Sequence, residues 1–333
     1  MSDLLDEFDR LTTLPPEPGS AELFSGRSLS AGHTRHLARD TLGRPAILFR
    51  VATTPQDQRL VGIALENLHV DHGVTCRIGD NEGHLSTGEF SIIRCLSTQR
   101  HLHEYFLNTL DGIIRSIPNP VSARDIGAIV TSLVALFQAL RRPATRPMMG
   151  LWAEMFLICQ SAHPGLLVQA WHAEASERYD FTWEDQRLEV KDSSDRSRRH
   201  HFSLEQAHPS ESLTVLVASL YVERCTQGTS LGDLWNRLRT IASGNLDLIL
   251  KLERVCIETL GDAWQTALSH CYDSILAAES LSFYDINRIP RVSSSQPLGV
   301  DEVRFRADLT LAEAVVPSEY HGTGRLFDAV FCQ

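Results

Sequence analysis

Residues Tyr179–Ser194 read YDFTWEDQRLEVKDSS, two strand-like runs that meet at a polar turn. Tyr179, Phe181 and Trp183 alternate with Asp180, Thr182 and Glu184, and Leu188 and Val190 alternate with Arg187, Glu189 and Lys191. Strand side chains alternate with a period of two, so each run shows large apolar groups on one face and charges on the other. A turn centred on Asp185 and Gln186 sets Trp183 against Leu188 and Phe181 against Val190. Asp180 then stands opposite Lys191 and diagonal to Glu189. Diagonal neighbours lie roughly 7 to 8 Å apart, less at the side-chain tips, so both carboxylates can reach one ion. Alone they repel, and one is driven to take up a proton; a divalent cation with oxygen ligands at about 2.1 Å removes that penalty. Lys191 beside them can hold a water or steady the charge on a phosphate, an arrangement suited to metal-assisted phosphodiester hydrolysis. A solvated cross-strand Glu–Lys pair carries the same letters, so the reading turns on what surrounds the charged face.

Working outward, GLWAEMFLICQSA places Leu151, Met155 and Ile158 with Trp152 and Cys159 on one apolar helical stripe. Glu154 falls at the margin of that stripe, where it can reach the sheet edge without being buried. It is either a third carboxylate for the same ion or a helix-flank surface charge. Downstream, SSDRSRRHHFSLEQ gathers Arg196, Arg198, Arg199, His200 and His201 in an otherwise acidic chain, as a phosphate-backbone contact or as a solvated loop. Strands are expected at LLVQAWH, RYDFTW, RLEVKDS and LTVLVASLYV, with a short helix at LEQAHPS between the last two.

This series, GLWAEMFLI, YDF, LEVKDSS and FSLEQ, resembles the PD-(D/E)XK nuclease superfamily, and within it the bacterial PD-(D/E)XK motif proteins associated with restriction-modification and phage defence. The likeness covers roughly residues 150–207. It implies an α/β fold, α+β overall: a restriction-endonuclease-like αβββαβ core flanked by an N-terminal β-rich domain and a mixed, largely helical C-terminal region. Asp180 and Glu189 take the places of the motif's two acids, Lys191 of its lysine and Glu154 of the helix glutamate. Gln206 matches a glutamine of the next helix, and the Val190 carbonyl is a further metal ligand by the same analogy. Tyr179 stands where the motif has proline. The implied activity is that of a Mg²⁺-dependent endodeoxyribonuclease, Mn²⁺ substituting, with DNA contacts from Arg196, Arg198, Arg199 and Gln206. Other subunits of a restriction or anti-phage system are the implied partners. The alternative is a catalytically inactive module of the same fold, kept for DNA binding or complex assembly.

The flanks give the domain expectation: residues 1–145 an antiparallel sheet with helices, 146–226 the core, 227–333 the extension. Residues 1 to about 40 read as a short acidic helix and a loose arm, TLPPEPGS. AILFRVA, LVGIALENLHV, GVTCRI and EFSIIRCL follow as strands, separated by turns such as TPQDQ and GDNEGH. Two helices come next, HLHEYFLNTLDGIIRSI and ARDIGAIVTSLVALFQALRR, the second opened by Ser122 as cap. RRPATRPMMG reads as a linker. The remainder is helical from about Ser230 to Ala278 and alternates again in VRFRADLTL.

The composition suits a folded chain: 333 residues, 43% apolar, 22% charged. A net charge of -11 argues against a general nucleic-acid coat while leaving room for a local basic groove. The seven cysteines form no C-x-x-C pair and read as reduced thiols. The acidic start MSDLLDEFDR is unlike a secretory leader, so a cytoplasmic protein is expected. HVDHG (His69–Gly73) reads as a turn rather than a ligand set, HLHE at His101 as a helix start, and HGTGR near Gly322 as a lone G-x-G with no apolar helix after it. No P-loop and no G-x-S-x-G elbow occurs.

Overall fold

The computed structural model describes residues 3–15, 21–30, 32–52, 60–80, 84–172 and 177–331. It is a mixed α+β structure of two compact units, Met1–Arg141 with Ser243–Leu250, and Arg142–Ala242 with Lys251–Gln333. Apart from Ser243–Leu250, the residues expected as core and C-terminal extension fall in the second unit. The turn TPQDQ, most of TLPPEPGS, part of GDNEGH and Cys332 lie outside the described residues; the six described cysteines are free. Among the described residues no helix is long and apolar enough to cross a membrane.

The first unit opens with α1 (Leu4–Asp9), followed by β1 (Glu22–Ser28), β2 (Arg35–Asp40), β3 (Pro45–Phe49), β4 (Val51–Ala52), β5 (Ile63–Ala64), β6 (Leu68–Gly79) and β7 (Leu85–Cys95). The sheet order is β1-β2-β3-β7-β6-β5, and β1 also pairs in parallel with β6. That extra pairing closes β1, β2, β3, β7 and β6 into a ring, which leaves no open edge among them. Phe24, Ala38, Leu48, Cys76, Ile78, Phe90 and Ile92 fill the interior, one or two from each strand of the ring at alternate positions. The antiparallel sheet expected from Pro45 onward is therefore completed by two earlier strands within the expected arm. The leading helix is packed too: Leu4 and Phe8 are buried. Next come α2 (Arg100–Ser116), β8 (Val121–Ser122), which pairs with β4, and α3 (Ala123–Ala139). Ser122 caps α3 in a reciprocal box with Asp125.

The second unit runs α4 (Met148–Gln160), α5 (Pro164–Ala170), β9 (Phe181–Trp183), β10 (Gln186–Ser193), β11 (Arg199–Ser203), α6 (Leu204–Ala207), β12 (Thr214–Tyr221), β13 (Arg224–Ser230) and α7 (Leu231–Ala242). It continues through α8 (Leu246–Leu260), whose first residues are grouped with the first unit, then α9 (Trp264–Ala267), β14 (Cys271–Tyr272), α10 (Ser274–Ser280), β15 (Ser282–Asp285), β16 (Arg304–Asp308) and α11 (Arg325–Phe331). Its main sheet has the order β15-β12-β10-β9. β9 and β10 form a hairpin, β10 and β12 run parallel after the crossover through α6, and β15 adds antiparallel.

Three expectations change here. LLVQAWH is not a strand: Pro164 begins α5 at the position where a proline costs a helix nothing. Only Trp171 joins the sheet, by a single bridge to Phe181. Short apolar runs of this kind fit either period. Second, α4 is not a one-sided stripe, because every residue from Leu151 to Ile158 is buried. Third, HGTGR is followed by an apolar helix: Leu326, Phe327, Ala329 and Val330 of α11 are buried. The side-chain Oε1 of Gln186 accepts from the Leu326 and Phe327 N–H groups. Gly324 is obligatory at this contact, since a Cβ there would lie 2.7 Å from the Gln186 amide.

Candidate active site

The hairpin turn is tighter than the sequence suggested. Glu184 takes a positive φ of 49°, and the strands pair Trp183 with Gln186, Thr182 with Arg187 and Phe181 with Leu188. The register is therefore two residues from the expected one, and Leu188, not Val190, meets Phe181. A shift of two preserves which face each side chain occupies. Continued one step, it sets Asp180 across from Glu189 rather than from Lys191. Asp180 lies just before β9, so no strand covers that edge of β10. The Val190 N–H turns to this edge and donates to Asp180 Oδ2 at 2.7 Å. A strand residue's N–H and C=O point to the same edge, so the Val190 carbonyl faces the side on which Asp180 lies.

The charged face of the hairpin is closed to water at Glu189, while Thr182 and Glu184 near the turn are exposed. Glu189 is 4% exposed. Its Oε1 accepts from Lys191 Nζ at 2.6 Å and from Gln206 Nε2 at 2.9 Å. Gln206 is fixed by its reciprocal cap with Ser203 and by a bond to the Arg178 carbonyl. Lys191 Nζ also sits over the Phe202 ring, 5.2 Å from its centre. Glu154 is buried, not on an exposed helix flank, because α4 is apolar on all sides. Its Oε2 accepts from Trp171 Nε1 at 2.6 Å.

Burial pushes the carboxyls up. Desolvation holds Glu154 well above the ordinary glutamate range, and the nearby Asp180 charge raises it further. Asp180 is raised by burial against the opposing pull of the Val190 N–H and Lys191. Glu189 is pushed up to about 7, by burial first and then by Asp180. Lys191 is raised as well: desolvation lowers it, but Glu189, Asp180 and Asp192 together outweigh that and keep it an ammonium. Arg146, from the segment read as a linker, adds positive potential at Glu154 and Asp180.

His172 was not foreseen. It follows the bridge residue Trp171, and both its backbone N–H and its ring Nδ1 bond the Asp180 carbonyl, at 2.8 and 2.9 Å. Burial depresses its pKa, so the ring is neutral. One ligand atom each of Glu154, His172 and Asp180 lie within 4.8 Å of one another. No spacing in the sequence announces this, because the contact rests on the Trp171–Phe181 bridge. The Glu189 Oε2 is buried with no hydrogen-bond partner among the described residues. The carboxylate oxygens of Glu154 and Asp180 suit a hard divalent cation, the neutral His172 imidazole adds a nitrogen donor of the kind softer metals prefer, and the orphaned Glu189 oxygen is a further acceptor in the same unit.

The basic cluster is divided. The Arg198 guanidinium is held inside the unit by the Ser219 carbonyl and hydroxyl, the Ser280 carbonyl and Ser282 Oγ, between the Tyr221 and Tyr284 rings. Arg196 pairs with Glu223 on the surface, and Arg199 is exposed at the start of β11. His200 is buried on Ser219 Oγ, and His201 is exposed on β11. In the first unit, HVDHG lies within β6 at a bulge. His72 bonds Ser91 there, and Asp71 meets His69 and Arg94.

A buried acid–acid–lysine hairpin beside a parallel crossover, with a glutamate supplied by the preceding helix, is a nuclease-like α/β arrangement. The family model described as "Putative PD-(D/E)XK family member, (DUF4420)" matches residues 12–310, and the chain belongs to this family. No curated protein and no solved structure matches the chain.

Proposed function

We propose that the protein is a Mg²⁺-dependent DNA endonuclease, Mn²⁺ substituting, which acts in a bacterial restriction or anti-phage defence system with partner subunits. The observation that carries this reading is the buried cluster of Glu154, His172 and Asp180, whose ligand atoms lie within 4.8 Å of one another, with Asp180 bonded to the Val190 N–H next to buried Glu189 and its partner Lys191. Asp180, Glu189, Glu154 and the Val190 carbonyl would hold the ion, with His172 fixing Asp180 and offering a further nitrogen. A bound cation supplies Lewis acidity toward the scissile phosphate and lowers the pKa of a water. Lys191, an ammonium at neutral pH, serves as a donor rather than a base: it orients the attacking water and stabilises charge developing on the phosphate. Gln206 keeps the Glu189 carboxylate aligned through its Nε2–H···Oε1 bond. Exposed Arg199, and Arg196 once released from Glu223, would contact the phosphate backbone.

The test is cleavage of supercoiled duplex DNA with Mg²⁺ by the wild type and by Lys191→Ala. Nicked or linear product from the wild type and at least about a hundredfold less from the variant is expected, in line with losing one electrostatic stabiliser. Equal activity in the two refutes the assignment.

A further inference from the structure

The first unit carries a second candidate site, remote in sequence from the acids. The strands that close its ring continue their inward-facing positions beyond the apolar core. In β1 the position after Phe24 on that face is Gly26, in β2 the one before Ala38 is His36, and past Leu48 of β3 it is Arg50. These residues line a cavity of about 640 Å³, together with Arg27, His33 and the side chains of Ile78 and Leu85. Mouths of β-barrels are common ligand sites, and this volume suits a small molecule.

Among the described residues, Arg27 and Arg50 bring more positive than negative charge to the lining. The one acid lining the cavity among the described residues, Asp80, is bonded to the His84 backbone and ring. Arg27 is largely exposed and makes one long ion pair, 3.9 Å from the Glu7 carboxylate. The Arg50 guanidinium has no ion pair or hydrogen bond among the described residues and lies 5.3 Å from the centre of the Phe90 ring. His36 is 5% exposed, and its Nδ1 is buried without a partner, a state that is rare in folded proteins and costs stability. Its ring stacks on exposed His33 at 6.1 Å. Burial, then His33 and Arg50, press its pKa down to about 4.

We propose that this cavity binds a phosphomonoester of nucleotide size, the phosphate taken by Arg27, Arg50 and the free His36 nitrogen, the remainder lying on His33, Ile78 and Leu85. Guanidinium forks match phosphate oxygens in pairs, and the cavity is larger than phosphate alone requires. The same chemistry is offered by a free nucleotide and by the 5′-phosphorylated end of a strand.

Calorimetric titration of the full chain in EDTA keeps the measurement independent of the acidic site. The probes are adenosine 5′-monophosphate, adenosine, and one short single strand with and without a 5′-phosphate. Adenosine monophosphate is expected to bind at least tenfold more tightly than adenosine, and Arg27→Ala/Arg50→Ala to lose at least tenfold. Both arginines are exposed, so the double variant tests the site without removing a core residue. A phosphorylated strand that binds more tightly than the mononucleotide assigns the site to strand ends; the reverse assigns it to free nucleotide. Equal affinity for nucleotide and nucleoside, unchanged affinity in the double variant, or no binding of any probe at millimolar concentration overturns the proposal.

Discussion

Replacing Glu189 by glutamine should make the second unit less sensitive to alkaline pH, by an amount that follows from its burial. A carboxyl raised from 4.5 to about 7 on folding lets the native state bind the proton that the unfolded chain has released. Stability therefore falls as pH rises between those values and levels off above the upper one. At about 1.4 kcal/mol per unit the full loss is about 3 kcal/mol, most of it between pH 5 and 8. His172 and His200, both depressed by burial, act in the opposite sense: stability lost below pH 6.5 as they must stay neutral returns as pH rises. The signal is thus the difference between wild type and Glu189→Gln, not the wild-type profile alone. Glu154 and Asp180 shift in the same direction as Glu189, and removing a charge beside them adds to the effect. All five tryptophans lie in the second unit, so urea unfolding followed by tryptophan fluorescence reports on that unit. In EDTA, Glu189→Gln should gain on the wild type by about 2 to 3 kcal/mol from pH 5 to pH 8. Saturating Mg²⁺ should stabilise the wild type at pH 8, by about 2.7 kcal/mol at a hundred times its Kd, and should leave the variant little changed. Parallel pH profiles for the two proteins in EDTA would show that Glu189 is not desolvated as described, and the reasoning would fail.

Gln206→Ala removes a donor that lowers the Glu189 pKa, so the midpoint of pH-dependent Mg²⁺ binding should move to higher pH; a midpoint that stays put in calorimetry rules out the contact. Trp171→Phe keeps the ring and deletes the bond to Glu154, and metal affinity should drop about 10- to 100-fold, as for other residues that orient ligands, with far-UV circular dichroism unchanged. Unaltered affinity would mean that Glu154 takes no part in binding the ion. Arg198 and Arg199 should separate cleanly. Arg198→Ala should cost roughly 2 to 4 kcal/mol of stability, from several buried charge-assisted bonds. Arg199→Ala should leave stability alone while weakening DNA binding and reducing its salt slope by about one; identical effects in unfolding and binding assays would contradict this division.

The chemistry was legible in the sequence where it depends on strand parity. Asp180, Glu189 and Lys191 are brought together by a period-two pattern, and a register error of two residues left their faces intact. What could not be read was anything fixed by a distant backbone contact. Trp171 and His172 reach the site through one bridge to Phe181, and the helix of which they form the exit looked like a strand because five apolar-rich residues fit either period. Glu154 was recognised as a candidate but placed on a flank. A helix with a single acid among Leu151–Cys159 is apolar all round, and the proper inference is burial. Arg198 belongs to a run of basic letters, yet its partners come from β12, the end of α10 and the start of β15, which no local pattern connects. β1 and β2 were hidden in a stretch whose prolines and polar residues drew attention to the arm.

The electrostatics of the pocket also weigh on the choice between an enzyme and an inert module of the same fold. Burial raises the pKa of three carboxyls, and among the described residues Lys191 is the permanently charged group that makes an ion pair with one of them. Buried charge clusters of this kind cost stability relative to neutral replacements, since desolvation exceeds the attraction recovered. A fold kept only as a scaffold would be more stable with amides at these positions, because each could satisfy the same Trp171, Val190 and Gln206 contacts in part without the repulsion. The acids instead stand beside Trp171 and Gln206, whose bonds orient the Glu154 and Glu189 carboxylates. Orientation of like charges toward one point is useful when an opposite charge arrives there, and a hard divalent cation is the smallest ligand that offsets three carboxylates at once.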